Sequence, residues 1–355
     1  MLILGIESSC DETAAAVVES GTLVRSSVVA SQTALHEEYA GVVPEIASRA
    51  HVEQILPVIR EALAQAGVGL GMIDAIAVGN RPGLIGCLLV GVAAAKALSW
   101  SLNKPLIAVD HVAAHLYSGL LIEGDAPHPL HSSRHPHVFP ALGLVVSGGH
   151  TSLYHLESWT QSRRLGSTID DAIGEAFDKA AAILGLSYPG GPNIDRLARS
   201  PGANEAFHAF PISRLSPDSL DFSFSGLKTA MLYATKGVPG ERGAPAPPLT
   251  EDRKRDLAAS FQHAAVKAVI LKLSRAIAVN PGMHTLLTGG GVTANSHLRL
   301  KLAELASHHG LALSLPAMKF CVDNAAMVAG LGYHLHAAGK VASLDLQAVP
   351  TTGMA

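Results

Sequence analysis

The chain has 355 residues, with 26 Lys+Arg against 29 Asp+Glu, and is 48% hydrophobic but only 15% charged. That much apolar surface can offset the entropy of ordering a backbone, which excludes a disordered chain, and roughly 100–200 residues per domain implies two or three compact units. A net charge of −3 and 5% aromatic residues exclude an all-over basic coat and a broad base-stacking platform, while a local basic face for RNA stays compatible with them.

The chain opens on an apolar, β-prone run over residues 2–6, a polar stretch over 8–13 and a second apolar run over 14–18, which predicts a buried hairpin with an acidic turn. No basic leader precedes it and Glu7 arrives at once, so the start does not read as a signal peptide. Residues 44–66 carry Ile46, Val52, Ile55, Leu56 and Ile59 at helical spacing. A strand over 75–78 leads through a Gly/Pro loop into an Ala-rich helix over 86–100. The most apolar stretch there, 82–95, has 14 residues, against the roughly 20 that a bilayer requires. A strand over 106–109 then delivers the chain to Asp110 and His111. Alternating strands and helices favour an α/β layer architecture.

From 126 to 140 the sequence turns to Pro and His, which reads as a surface loop joining two lobes. The plan then repeats: an apolar run over 141–146, a Gly turn over 147–151 and a strand over 153–156, a repeat of topology rather than of sequence. A second loop rich in Pro and charge spans 236–255. After it come a helix over 257–279, a strand over 285–287, the run Gly289-Gly290-Gly291, a helix over 296–308 and a last apolar helix over 324–338. Cys10, Cys87 and Cys321 are too few and too scattered for a disulfide framework, which predicts a reducing, cytosolic setting and no membrane.

Five runs carry chemistry. His111 and His115 stand four apart where a strand passes into a helix, so both imidazoles can meet one cation. A transition metal then needs a further ligand, usually a carboxylate from elsewhere. Among 18 histidines, chance pairs at this spacing are expected, and two ordinary helix histidines are the alternative. The zinc-protease reading fails, because the intervening Val112, Ala113 and Ala114 include no base. Val145-Val146-Ser147-Gly148-Gly149 can aim backbone N–H groups at an anion, or be a plain hairpin turn. Gly289 to Asn295 can clear space for a nucleotide before a helix, or cap that helix. Asp171, Glu175 and Asp178 share one side of a predicted helix that runs into Tyr188-Pro189-Gly190-Gly191, either holding ribose hydroxyls or facing solvent. Asp323 precedes the last helix, as a helix cap or as the missing metal ligand. The run Asp221 to Thr229 has no chemistry that residue types alone disclose.

Together these runs resemble one family, the tRNA N6-adenosine threonylcarbamoyltransferases, bacterial TsaD (Gcp) type. The matching pieces are Gly5 to Thr13, Gly41 to Glu45 with Ala47-Ser48-Arg49, Val146 to Thr151, Asp170 to Lys179, Tyr188 to Pro192, Asp221 to Thr229, Gly289 to Asn295 and Cys321 to Met327, in family order from residue 3 to about 335. The resemblance implies an α/β fold of two related actin-like/Hsp70/sugar-kinase (ASKHA) lobes with a nucleotide cleft between them. Lobe I would be 1–125, completed by a C-terminal helix over 323–343, lobe II 126–322, and the tail 344–355. It implies transfer of threonylcarbamoyl from threonylcarbamoyl-adenylate to N6 of adenosine 37 in tRNAs reading ANN codons, in the cytoplasm. Partners would be tRNA, a TsaB-like paralogue as heterodimer and a TsaE-like ATPase.

By the family pattern His111, His115 and Asp323 hold one divalent metal, Fe2+ in the first place and Zn2+ in the second. Val145, Val146, Ser147, Gly148 and Gly149 would face the phosphate and threonylcarbamoyl end, while Asp178, Gly191, Asp195 and Asn295 would bind the adenosine part. No side chain stands out as general base; Glu12 is a candidate for support only. The sequence departs from the pattern in Val112-Ala113-Ala114 between the histidines, in Arg81 where a glycine is usual, in the expanded loop 127–140 and in a tail poor in basic and aromatic residues. An ASKHA-fold small-molecule kinase is the alternative; it would need a catalytic Asp in its second lobe and no His pair. A non-catalytic paralogue would have lost the three metal residues.

Overall fold

The computed structural model describes residues 1–39, 41–124, 138–213, 215–216, 218–237 and 247–354. Most of the expected His/Pro-rich loop and the middle of the loop over 236–255 lie outside the described residues.

The first half holds β1 (Leu2–Glu7), β2 (Glu12–Glu19), β3 (Leu23–Ser31), α1 (Thr33–His36), α2 (Pro44–Ala66), β4 (Ala75–Arg81), α3 (Ile85–Leu102), β5 (Leu106–Asp110) and α4 (His111–Tyr117). The expected hairpin is present, with β1 antiparallel to β2 and Leu4 opposite Val17. Both strands are apolar at successive positions because both faces of the sheet are covered. Ile3, Ala14, Ala16 and Val18 enter one core, and Leu4, Ile6, Ala15 and Val17 enter another on the opposite face.

The second half holds β6 (Ala141–Val146), β7 (Thr151–Ser158), β8 (Gln161–Ser167), α5 (Ile173–Ile183), α6 (Gly190–Ala198), α7 (Ser225–Lys236), α8 (Glu251–Val279), β9 (Thr285–Gly289), α9 (Ser296–His309), β10 (Ala312–Ser314) and α10 (Ala325–Ala337). The first sheet runs β3-β2-β1-β4-β5 and the second β8-β7-β6-β9-β10, the same order built twice. In each, an antiparallel three-stranded meander adjoins two parallel strands. The last helix, α10, crosses back to pack on β1 and β2. A Cβ on Gly5 would sit 2.2 Å from the Ala325 carbonyl oxygen, so glycine there admits the first turn of α10 onto β1.

Four expectations change. The third strands β3 and β8 go unread in the sequence, since each is an edge strand with polar, exposed positions and little alternation. Helix α8 begins at Glu251 rather than 257, capped by the Thr250 hydroxyl accepting from Arg253 N, so the charged run opening it is helix and not loop. Asp171 precedes α5 instead of lying on it, because that helix starts at Ile173. The apolar helix α3 continues through Lys96 to Leu102, which makes it, among the described residues, the one helix long and apolar enough to cross a bilayer. What marks it as a core helix is its packing against α2 and β4.

Candidate active site

The strand β5 ends in Asp110, whose carboxylate accepts from Val112 N and Ala113 N and so starts α4 directly at His111. This cap fixes the helix on which both histidines ride. Across from it, Asn324 caps α10 by accepting from Met327 N, which leaves Asp323 free of capping duty and directed at the histidines. The Asp323 Oδ1 lies 3.3 Å from His111 Nε2 and 3.1 Å from His115 Nε2. The helix-cap alternative for Asp323 is thereby excluded, and the three expected metal residues do meet.

The trio fits a divalent metal. Two imidazole nitrogens and a carboxylate oxygen lie within 4.8 Å of one another, a donor set suited to zinc or iron. Neither ring nitrogen of His115 makes an aligned hydrogen bond: both are buried, and Nε2 faces only the Asp323 carboxylate at 3.1 Å, an arrangement that is costly unless something else engages it. His111 is anchored from behind: its Nδ1 lies 3.0 Å from Glu7 Oε2, and Glu7 Oε1 accepts from Ser9 N at 2.6 Å. Glu7 is wholly buried and a carboxylate only accepts, so the Nδ1 proton is held there and Nε2 is turned to the site. Burial disfavours a charged His111, yet Asp323 and Glu7 on either side outweigh it and hold its pKa well above the ordinary value. Burial likewise opposes ionisation of Asp323, and His111 overcomes it, keeping that carboxyl well below the usual range. Burial, with His111 beside it, lowers His115.

His111 and Asp323 line the floor of a cleft of about 1010 Å³ walled by both halves, with His115 buried against them. From the first half come the β1–β2 turn, Ser9 to Glu12, and Pro82 to Leu84; from the second come Ser147 to His150, Asp178, Tyr188 to Gly190 and Gly291. Ser147-Gly148-Gly149 is the hairpin turn of its plainer alternative, closed by Ser147 N donating to His150 O at 2.7 Å, and it also lines the cleft. Asp178 accepts from Gly190 N at 2.7 Å, and burial raises its pKa despite that bond and one from Gly191.

Other expected residues stand back from the lining. Val145 and Val146 are fully buried in β6. Asp195 accepts from Ser296 Oγ at 2.7 Å. Asn295 caps α9 by accepting from Leu298 N and donates to Gln262 Oε1 at 2.7 Å. In the glycine run only Gly291 borders the cleft: a Cβ on Gly289 would fall 2.0 Å from the His115 carbonyl oxygen, so that residue serves the seating of α4 on β9.

Several contributors are not legible in the sequence. Glu12, assigned only support there, lines the cleft with Oε2 buried and unpartnered, and burial, little opposed by Ser31, lifts its pKa to about 7. The tail folds back: Thr352 Oγ1 and Gly353 N donate to Asp110 Oδ2 at 2.8 and 2.7 Å, and Met354 joins Val112 and Leu116 in one apolar cluster. Arg81 lies against Gly353. The run Asp221 to Thr229 also gains a role, as Asp170 accepts from Ser223 Oγ, Phe224 N and Ser225 Oγ and so ties the start of α7 to the cleft wall.

Two five-stranded sheets of one strand order, facing each other over a cleft, define a protein of the actin-like/Hsp70/sugar-kinase class. Among solved structures, HypF of T. kodakarensis matches with a TM-score of 0.57 at 16% identity, over 97% of this chain and 49% of its own. Component A of the Acidaminococcus fermentans (R)-2-hydroxyglutaryl-CoA dehydratase matches with 0.50 at 14%, over 95% and 99%. At such identities the likeness shows the fold alone. The sequence profile for tRNA N6-adenosine threonylcarbamoyltransferase (TsaD) matches residues 23–330. Proteins of that description from Symbiobacterium thermophilum and Moorella thermoacetica are 49% and 48% identical, over 99% and 98% of this chain and 97% and 96% of theirs. The chain belongs to the tRNA N6-adenosine threonylcarbamoyltransferase family.

Proposed function

We propose that the chain moves a threonylcarbamoyl group from threonylcarbamoyl-adenylate to N6 of adenosine 37 in tRNAs reading ANN codons, at the floor of the cleft. As a member of its family it is an enzyme that forms N6-threonylcarbamoyladenosine in tRNA. The observation that carries the proposed site is the meeting of two buried imidazoles and one carboxylate at that floor, which His111 and Asp323 line.

His111, His115 and Asp323 would hold one divalent metal, Fe2+ in preference to Zn2+. Such an ion supplies Lewis acidity toward an acyl or phosphate oxygen. An exocyclic adenine amine is a weak nucleophile, so as its N–C bond forms and the acyl–phosphate bond breaks to release AMP, the negative charge developing on the acyl oxygen needs stabilisation. The backbone N–H groups of Gly148 and Gly149 provide it, with Ser147 closing the turn and Val145 and Val146 as the rigid strand behind. Glu12, its pKa near 7 and one oxygen free, accepts the proton that the amine releases. Asp178, with Gly191 beside it, faces the adenosine part of the donor, and Asp195 and Asn295 brace the wall behind them. The lobes divide at the loop over 126–140, with α10 completing the first. A TsaB-like paralogue and a TsaE-like ATPase assist turnover, and the setting is cytoplasmic. A small-molecule kinase of the same fold has no use for the His-His-Asp trio.

The test is mass spectrometry of tRNA nucleosides after depletion of the chain, with re-expression of wild type or Asp323→Ala. The modified nucleoside should fall on depletion and return with wild type only. Full restoration by Asp323→Ala would overturn the assignment of the site.

A further inference from the structure

A second cluster of ligating side chains lies outside the cleft. Glu205, His263 and His297 come from the loop after α6, from α8 and from α9, and their ligand atoms lie within 4.8 Å of one another. None of the three lines the cleft. His263 Nδ1 stands 3.3 Å from Glu205 Oε2, and the His263 and His297 rings are 5.9 Å apart. The pair is not a finished ion pair. His263 Nδ1 is buried and its approach to Glu205 lacks hydrogen-bond alignment, so it has no hydrogen-bond partner.

Each donor is set by a bond at or near its neighbour. Asn204 N donates to Asp256 Oδ1 at 3.1 Å, and Ser260 Oγ donates to Asn204 O at 3.2 Å and accepts from His208 N at 3.1 Å, which locks both flanks of Glu205 onto α8. Gln262, beside His263, is joined to Asn295, which caps the helix carrying His297. Three donors thus converge from three mutually fixed elements, the preorganisation that a coordination site requires. The nearby Lys301 is compensated by Glu304 at 2.9 Å.

We propose that Glu205, His263 and His297 form a second divalent-metal site, with the two-imidazole, one-carboxylate donor set that suits Zn2+. Bound there, the ion clamps the loop after α6 to α8 and α9, two residues from Asn295.

The test is titration of the full, metal-stripped chain with Zn2+ against a chromophoric chelator, repeated with Co2+ for its visible spectrum. The chains compared are wild type, His263→Gln/His297→Gln and His111→Gln/His115→Gln. One equivalent should weaken by more than about 100-fold in the first double variant, beyond what an outer-shell change costs, and persist in the second. Zn2+ should still raise the melting temperature of the His111→Gln/His115→Gln chain. Should His263→Gln/His297→Gln not fold, Glu205→Gln, at an exposed position, must weaken the same equivalent. An unchanged titration in the folded variants, or loss of every equivalent in His111→Gln/His115→Gln, would overturn the proposal.

Discussion

The turn after β1 and the turn after β6 occupy matching places in two sheets of the same order, and they face each other across one cleft. The first presents Ser9, Cys10, Asp11 and Glu12, with Glu7 behind it on His111. The second presents Ser147, Gly148, Gly149 and His150, of which the two glycines expose only backbone. One scaffold thus offers carboxylate chemistry from one side and N–H donors from the other. His150, the one titratable side chain of the second turn, is driven down to about 4 by burial and by His111 and His115, so it is neutral at pH 7. Duplicated topology sets where a turn lies; the turn's own residues set what it does.

The largest effect separating the two sides should come from Asp323→Ala. Activity and bound cleft metal should both fall by more than about 100-fold, since even outer-shell changes at metal sites cost 10–100-fold. The circular dichroism spectrum should persist, because Asn324 and not Asp323 caps α10.

Glu12→Gln comes next, with kcat/KM falling about 10²–10⁴-fold, the usual span for a general base. In wild type kcat/KM should rise with pH through about 7 as Glu12 ionises, and the variant should lose that limb. Stability runs the other way. A carboxyl raised from 4.5 to about 7 in the folded state favours folding while protonated, and that contribution is complete below the unfolded value and lost as pH climbs through the folded one. Chemical denaturation at pH 8 should therefore find Glu12→Gln more stable than wild type, by on the order of 1 kcal/mol after solvent screening, and the gain should shrink toward pH 4.5.

On the backbone side, Gly148→Ala has no neighbour within 4 Å, whereas a Cβ on Gly174 would fall 2.6 Å from the Ser147 carbonyl oxygen. Thermal unfolding should show Gly148→Ala near wild type and Gly174→Ala less stable by about 1–3 kcal/mol. If Gly148→Ala lowered activity as far as Glu12→Gln does, the second turn would be acting through more than its N–H groups. A modest effect is expected for removal of residues 349–355, which frees Asp110 Oδ2 and uncovers the cluster around Met354. A loss of about 1–2 kcal/mol in a melt, with weaker cleft-metal retention, would show the tail steadying α4.

Much of this is legible in the amino-acid sequence. The hairpin β1–β2, the bounds of α2 and β6, and the His111/His115 pair follow from periodicity and spacing, because burial on both faces or on one face leaves a local pattern. Edge strands β3 and β8 leave none, since few of their residues are buried. The acidic spacing puts Asp171 on a helix that in fact starts two residues later, a boundary that composition does not mark. Glu7 and Asp170 have partners 104 and 53–55 residues away, and no spacing rule reaches that far.

The sequence by itself determined an α/β chain built twice over, a helix presenting two imidazoles on one face, and glycines where turns must be bare. Only the tertiary structure decided that Asp323 meets the two histidines rather than caps a helix, that Glu12 is left with one buried, unpaired oxygen, and that Gly289 serves packing beneath His115. The reason is physical. Local propensity acts over a few residues, while a pKa or a ligand set depends on charges and burial contributed by segments from opposite ends of the chain.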